Sequence, residues 1–261
     1  MKHINYRITT GIITACFLAF SISLSAFQSA FAQQHFEGEV VVNLYSQDDG
    51  STEQVTLLIK DHRLMLAGVT AGEDVIGMAG EGLLIRADYS DIIIFGEDNS
   101  GIQIKSGELQ SMMGMFMGPE AIKEIEDDID EELAGMRMRN TSETRTVSGV
   151  RLTKSILTSE DEPGNEAHVW FADDVYINWA NLFSPVGFFT DQLNISSKLT
   201  ALGWPEGKSP MMVEIFEDGN KTTMMEVVEL NSRSLSDEEV GIPSGTNVIS
   251  FMQMMMEGFA E

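Results

Sequence analysis

Between residues 36 and 105, apolar and polar positions alternate with a period close to two, in short runs broken by turn residues. On the first run Phe36, Gly38, Val40, Val42 and Leu44 share one face, with Glu37, Glu39 and Asn43 opposite, as in a half-buried strand. Asp48-Asp49-Gly50 reads as a hairpin turn, and the return run places Val55, Leu57 and Ile59 on one side. Further strands are expected at 63–67, 74–78, 83–87 and 91–95, the spacing of an antiparallel meander.

The period then changes. Pro119 stands where a first helical residue belongs, and Ile122, Ile125, Ile129 and Leu133 recur at three and four until Gly135. This predicts an amphipathic helix with an acidic outer face. Strands are expected again at 136–147, 150–158 and 167–172. An aromatic-rich segment from 176 to 189, interrupted by Pro185 and Gly187, follows them. A second hairpin joins 211–217 to 222–230 through Asp218-Gly219-Asn220. A closing helix over 247–260 carries Val248, Phe251, Met252, Met255, Met256 and Phe259 on one stripe. With no repeat and no long linker, residues 33–261 read as a single β-rich domain.

Composition places this domain outside the cytoplasm. Lys2 and Arg7 precede an uncharged stretch, residues 8–32, that ends in Ala30-Phe31-Ala32, so residues 1–32 read as a signal peptide and the periplasm is the expected compartment. The run is also long enough for a membrane anchor. Ile13-Thr14-Ala15-Cys16 loosely fits a lipoprotein cleavage box, which would associate the protein with the outer membrane. The serine-rich second half and the A-x-A ending favour removal. Cleavage there discards the one cysteine, and disulfides and thiolate chemistry with it. The 41 acidic residues against 16 basic ones give a net charge of −25, which excludes nucleic acid as a natural partner.

Motifs for catalysis are missing. Residues 203–209, Gly-Trp-Pro-Glu-Gly-Lys-Ser, fall one residue short of a phosphate loop and lead into Pro210 and a strand where that loop needs a helix; a turn is expected instead. His35, His62 and His168 form no H-E-x-x-H pair, and no G-x-S-x-G elbow exists. Asp61 and His62 are expected on opposite faces of a strand, and His168 on the same face as Trp170. The acidic run 127–132 radiates around a helix and supplies no converging calcium ligands. No catalytic residue, metal site or cofactor is assigned, and a hydrolase built from dispersed residues is the least favoured reading.

Methionine is the unusual signal: of seventeen residues, fourteen are grouped at 112–117, 136 and 138, 211–212, 224–225 and 252–256. Flexible thioethers and aromatic rings suit an adaptable apolar pocket. Its expected lining is Met112, Met115, Phe116, Trp179, Phe183, Phe188, Phe189, Met252, Met255 and Met256, with residues 176–189 as a lid or a cap over the sheet. The alternative is an envelope protein that handles Cu(I) through Met252, Met255 and Met256.

Phe36-Glu37-Gly38, the 112–117 run, Val147-Ser148-Gly149-Val150, Val169-Trp170-Phe171-Ala172-Asp173, Gly203-Trp204-Pro205-Glu206-Gly207 and Gly241-Ile242-Pro243-Ser244-Gly245 together resemble an exported bacterial family of unknown function. That family is similar in pattern to the periplasmic lipoprotein carriers of the LolA and LolB type. The resemblance implies a mainly β (α+β) fold: a curved antiparallel sheet or incomplete barrel, with helices packed on its concave face. In the carriers that concavity receives acyl chains. This chain is longer and far more acidic, and no carrier residue is transferred to it. The function expected is non-enzymatic binding of a lipid or other apolar ligand, or of an envelope protein partner, in the hollow of the sheet.

Overall fold

Period-two text becomes strand along most of the chain, and one sheet collects all of it. The computed structural model describes residues 35–46, 50–71, 80–96, 99–116, 118–160, 164–187, 195–205, 208–217 and 219–258. The first strands are β1 (Gly38–Tyr45), β2 (Thr52–Lys60), β3 (Arg63–Ala71), β4 (Gly80–Arg86), β5 (Asp91–Gly96) and β6 (Ser100–Lys105). Two helices follow, α1 (Ser106–Phe116) and α2 (Gly118–Leu133). Next come β7 (Met136–Val147), β8 (Val150–Ser159) and β9 (Glu166–Ala172), then α3 (Trp179–Leu182), a 3-10 turn at Ser184–Val186, and α4 (Ile195–Leu202). The chain ends with β10 (Pro210–Glu217), β11 (Asn220–Ser232), β12 (Asn247–Ser250) and α5 (Phe251–Gly258).

The twelve strands run in the order β12-β6-β5-β4-β3-β2-β1-β11-β10-β9-β8-β7. Every neighbouring pair is antiparallel except β12 with β6. The fold is therefore mainly β, an open and mostly antiparallel sheet. Local chemistry explains the tight turns: Ser148 and Gly149 both have positive φ, 49° and 80°, as a two-residue turn matched to strand twist requires.

Three expectations are corrected. Residues 247–250 are strand, not helix, because they lie beside β6, where backbone pairing outweighs a helical stripe that only begins at Phe251. Asp61 and His62 form the turn between β2 and β3, with Asp61 at φ 47°, so they do not lie within a strand on its opposite faces. Helices α1 and α4 and strand β6 have no counterpart among the expected elements. The leader at 1–32, the strand at 74–78, and Asp48, Asp49, Asp218 and Phe259 lie outside the described residues.

Register defines two faces. The front carries Val40, Val42, Val55, Leu57, Ile59, Leu64 and Ile85. These residues belong to one buried cluster with Ile129 of α2, Trp179 and Leu182 of α3, and Leu199 and Leu202 of α4. On the back, Met65, Leu84, Ile93 and Phe95 form a second cluster with Leu235 and Val240. Those last two belong to the segment 233–246, which takes the chain from β11 past β1 to β6 and delivers β12 to the far edge.

This crossing strap is fastened by polar groups. Glu37 Oε1 accepts from the Leu235 amide at 2.7 Å, while Lys60 Nζ donates to the Leu235 carbonyl at 2.8 Å and to Asp237 at 2.7 Å. Ser236 and Glu239 cap each other reciprocally: the Ser236 amide donates to Glu239 Oε2 at 2.8 Å and the Glu239 amide to Ser236 Oγ at 3.3 Å. The Ser236 amide, then Arg233 and the Ser236 hydroxyl, hold the Glu239 carboxyl down at about 2. A depressed carboxyl contributes stability above its unfolded value and loses it as pH falls through the folded one. The strap should therefore keep its hydrogen-exchange protection at pH 5 and lose it as pH approaches 2. Glu239→Ala should remove the protection of the Ser236 amide at neutral pH, and unchanged protection would contradict this account.

Candidate functional site

The front face is not covered evenly. Backbone pairing aligns Val40 with Leu57, Leu57 with Leu66, Leu66 with Leu83, Leu83 with Ile94, Ile94 with Ile102, and Ile102 with Ile249. This is a single row of large aliphatic side chains across seven strands, with directly opposite neighbours within contact distance of one another. Val40 and Leu57 are buried, at 2% and 5% exposure. Leu66, Leu83, Ile94, Ile102 and Ile249 are only half-buried. The row thus passes from core at the sheet centre to a contiguous apolar strip toward the β12 edge. Scattered apolar exposure is ordinary, but a contiguous strip is a surface that gains by being covered.

The residues expected to line a pocket are distributed differently. Trp179 is buried in the front cluster, donates its indole N–H to Ser209 Oγ at 3.3 Å, and stacks on the half-buried Phe183 with centroids 6.1 Å apart. Met252 and Met256 project from α5 into solvent, at 51% and 66% exposure, and Met255 beside them is half-buried. Two soft thioether donors one helical turn apart therefore face outward instead of toward Trp179. Met112, Met115 and Phe116 belong to α1, and their side chains lie outside the described residues, as do Phe188 and Phe189. The strip itself was absent from the expected lining. Its residues are individually visible as alternating apolar positions, but only register joins them.

Within 203–209, residues 206 and 207 lie outside the described residues, and the others are neither helix nor strand. Gly203, at φ 86°, follows the last residue of α4, and the Cβ it lacks would press on the Met138 carbonyl at 3.2 Å. Trp204 packs edge-on against Phe171, with centroids 4.9 Å apart. Lys208 reaches back to Asp173 at 2.7 Å and, by that hydrogen bond above all, lowers the Asp173 carboxyl below its ordinary value. The lysine is thus engaged in structure.

The back of β7 to β11 holds a buried polar network. Glu214 accepts from Trp170 Nε1 at 2.8 Å, Arg145 Nη2 at 2.9 Å and Lys221 Nζ at 3.0 Å. The Arg145 guanidinium lies 3.8 Å above the Trp170 ring centroid, and Lys154, paired with Glu143, lies 5.5 Å from it. His168 does share the Trp170 face; its ring pairs with Glu166 at 2.9 Å and tilts over Phe216 at 4.1 Å. Carboxylate, indole and cations pair with one another here, while Arg145 Nε is buried without a hydrogen-bond partner. Among the described residues no group of three or more His, Cys, Asp or Glu side chains is placed to hold a metal ion, and no helix is long and apolar enough to cross a membrane.

No known protein-family model and no curated protein matches the chain. Among solved structures, the chain is similar to PNGF-II at 11% identity, over 84% of this chain, with a TM-score of 0.38. The match spans 32% of the PNGF-II chain, about a third of its length. A likeness of that size carries neither fold nor function across.

Proposed function

We propose that this is an exported, non-enzymatic binding protein that takes an apolar ligand, an acyl chain or lipid, along the front of its sheet. In this reading the sheet curves into an incomplete barrel with α1 to α4 on its concave side, and the ligand lies at the end the helices leave open. One observation carries it: the half-buried row Leu66–Leu83–Ile94–Ile102–Ile249 continues the core's own hydrogen-bonded register into a strip that presents only aliphatic side chains. The resemblance to the LolA and LolB carriers points the same way, and the acidic surface keeps such a protein soluble and apart from anionic headgroups.

The test uses the purified mature chain. Native mass spectrometry is expected to find co-purified lipid, and the delipidated protein is expected to bind dansyl-undecanoate. Ile94→Glu and Ile102→Glu, at half-buried sites, should each weaken that probe at least tenfold, about 1.4 kcal/mol, with a circular dichroism spectrum unchanged from wild type. Met252→Glu should leave binding unchanged. A bare polypeptide mass together with no probe binding would end this reading.

A further inference from the structure

Helix α5 lies against β6 and β12, and burial along it follows the helical period. Phe251 is buried and Met254 and Met255 are half-buried, which turns one side of the helix to the sheet, whereas Met252, Gln253 and Met256 are exposed. Packing therefore accounts for Phe251, Met254 and Met255. It gives no reason for methionine at the two outward positions, where a surface helix ordinarily carries polar side chains. At about 100° per residue, Met252 and Met256 stand about 40° apart around the helix, and Met255 lies about 60° to the other side of Met252. Residues three and four apart on a helix are neighbours, with Cβ atoms roughly 5–6 Å apart. The unbranched methionine side chain then lets three sulfurs turn toward one point above the helix. Around them residues 240–256 carry no charged side chain, within a protein of net charge −25.

We propose that Met252, Met255 and Met256 form a surface binding site for a soft monovalent cation, Cu(I). Thioethers are neutral, soft donors: they suit Cu(I) and its chemical analogue Ag(I), whereas hard cations select oxygen, and zinc is better served by thiolate or imidazole. The acidic body of the protein raises the concentration of any cation near its surface. The uncharged donor set then selects among those cations by softness and not by charge. A thioether also has no proton to lose in water, so this site binds equally across pH, unlike one built on histidine or cysteine. The site lies apart from the buried Trp179 and does not depend on apolar ligand binding along the strip.

The experiment uses the full mature chain, held anaerobic with ascorbate, and Cu(I) presented as its bicinchoninate complex. The protein should withdraw Cu(I) from the chelator with the same affinity at pH 6 and pH 8. M252L/M256L should lose at least tenfold in affinity and M255L less, both with unchanged circular dichroism spectra. Leucine keeps the apolar bulk and removes the sulfur, so a role in apolar contact alone predicts no loss. On the wild-type chain carrying carbon-13 methionine methyls, Ag(I) should shift the resonances of Met252, Met255 and Met256. Four results would each overturn the proposal: wild-type affinity in M252L/M256L, Ag(I) shifts that leave these three methyls unmoved, affinity that falls between pH 8 and pH 6 and so places the ion on imidazole, or displacement of Cu(I) by an equal concentration of Zn(II). M252L/M256L should bind dansyl-undecanoate as the wild type does, so either proposal can fail alone.

Discussion

Replacing Glu214 by leucine is expected to cost about 2–4 kcal/mol of stability, read as a fall in the urea midpoint at pH 7. Three donors converge on this buried carboxylate, and each loses differently. The Trp170 indole N–H is buried and would have no acceptor, a penalty of about 1–3 kcal/mol by itself. Arg145 loses its counter-charge, but its side chain is 30% exposed and recovers part of its hydration. Lys221, at 52%, recovers most. Glu214→Gln keeps the shape and one acceptor, so its loss should be smaller. Burial pushes the Glu214 carboxyl up, yet hydrogen bonds from Trp170 and Lys221, with the Arg145 charge, outweigh it and leave the group below its ordinary value. Its contribution is therefore complete above the unfolded carboxylate range and disappears as pH falls through the depressed folded value. Glu214→Gln should flatten the acid limb of the stability curve in that window. A wild-type midpoint in the leucine variant would refute the role given to this network.

Gly38→Ala is expected to do comparable or greater damage, about 3–5 kcal/mol. At φ 149° this residue occupies backbone space that side chains rarely enter. An added Cβ would lie 2.0 Å from the Asn231 carbonyl oxygen and 3.1 Å from the Arg233 amide nitrogen. Both obstacles are main chain, so no rotamer change relieves the clash. β1 pairs with β2 on one side and β11 on the other, so any backbone shift at Gly38 propagates into both ladders and into the Glu37 bond to Leu235. Urea unfolding should show the loss, and exchange at the Gly38–Ser232 end of the β1–β11 ladder should rise first. A melting temperature within about 2 °C of wild type would show that the ladder slips at little cost.

What was legible in this sequence was whatever depends on near neighbours. The expected strand at 136–147 coincides with β7, and Pro119 with the spacing of Ile125, Ile129 and Leu133 located α2. Runs without contrast were not legible: the 112–117 stretch is apolar nearly throughout, so it shows no period even though residues to Phe116 are helical. At 247–250 the stripe of Val248, Phe251 and Met252 satisfies a helix, and only the position of β6 beside it decides for strand. The apolar strip was hidden for the same reason. Leu66, Leu83, Ile94 and Ile102 each read as strand residues, but their alignment depends on register between separate strands. Glu214 is likewise one charge in an otherwise apolar stretch; nothing local announces that Trp170 and Arg145 will meet it. Trp179, by contrast, was conspicuous as an aromatic and is part of the core.

The route of residues 233–246 also sets a timetable. Synthesis proceeds from the amino terminus, so β1 to β6 can assemble while Met65, Leu84, Ile93 and Phe95 still await Leu235 and Val240. Contacts between such distant parts of a chain form late, and uncovered apolar patches on unfinished sheets invite misassembly. Residues 233–250 therefore act twice over, covering the rear surface and flanking β6 with β12.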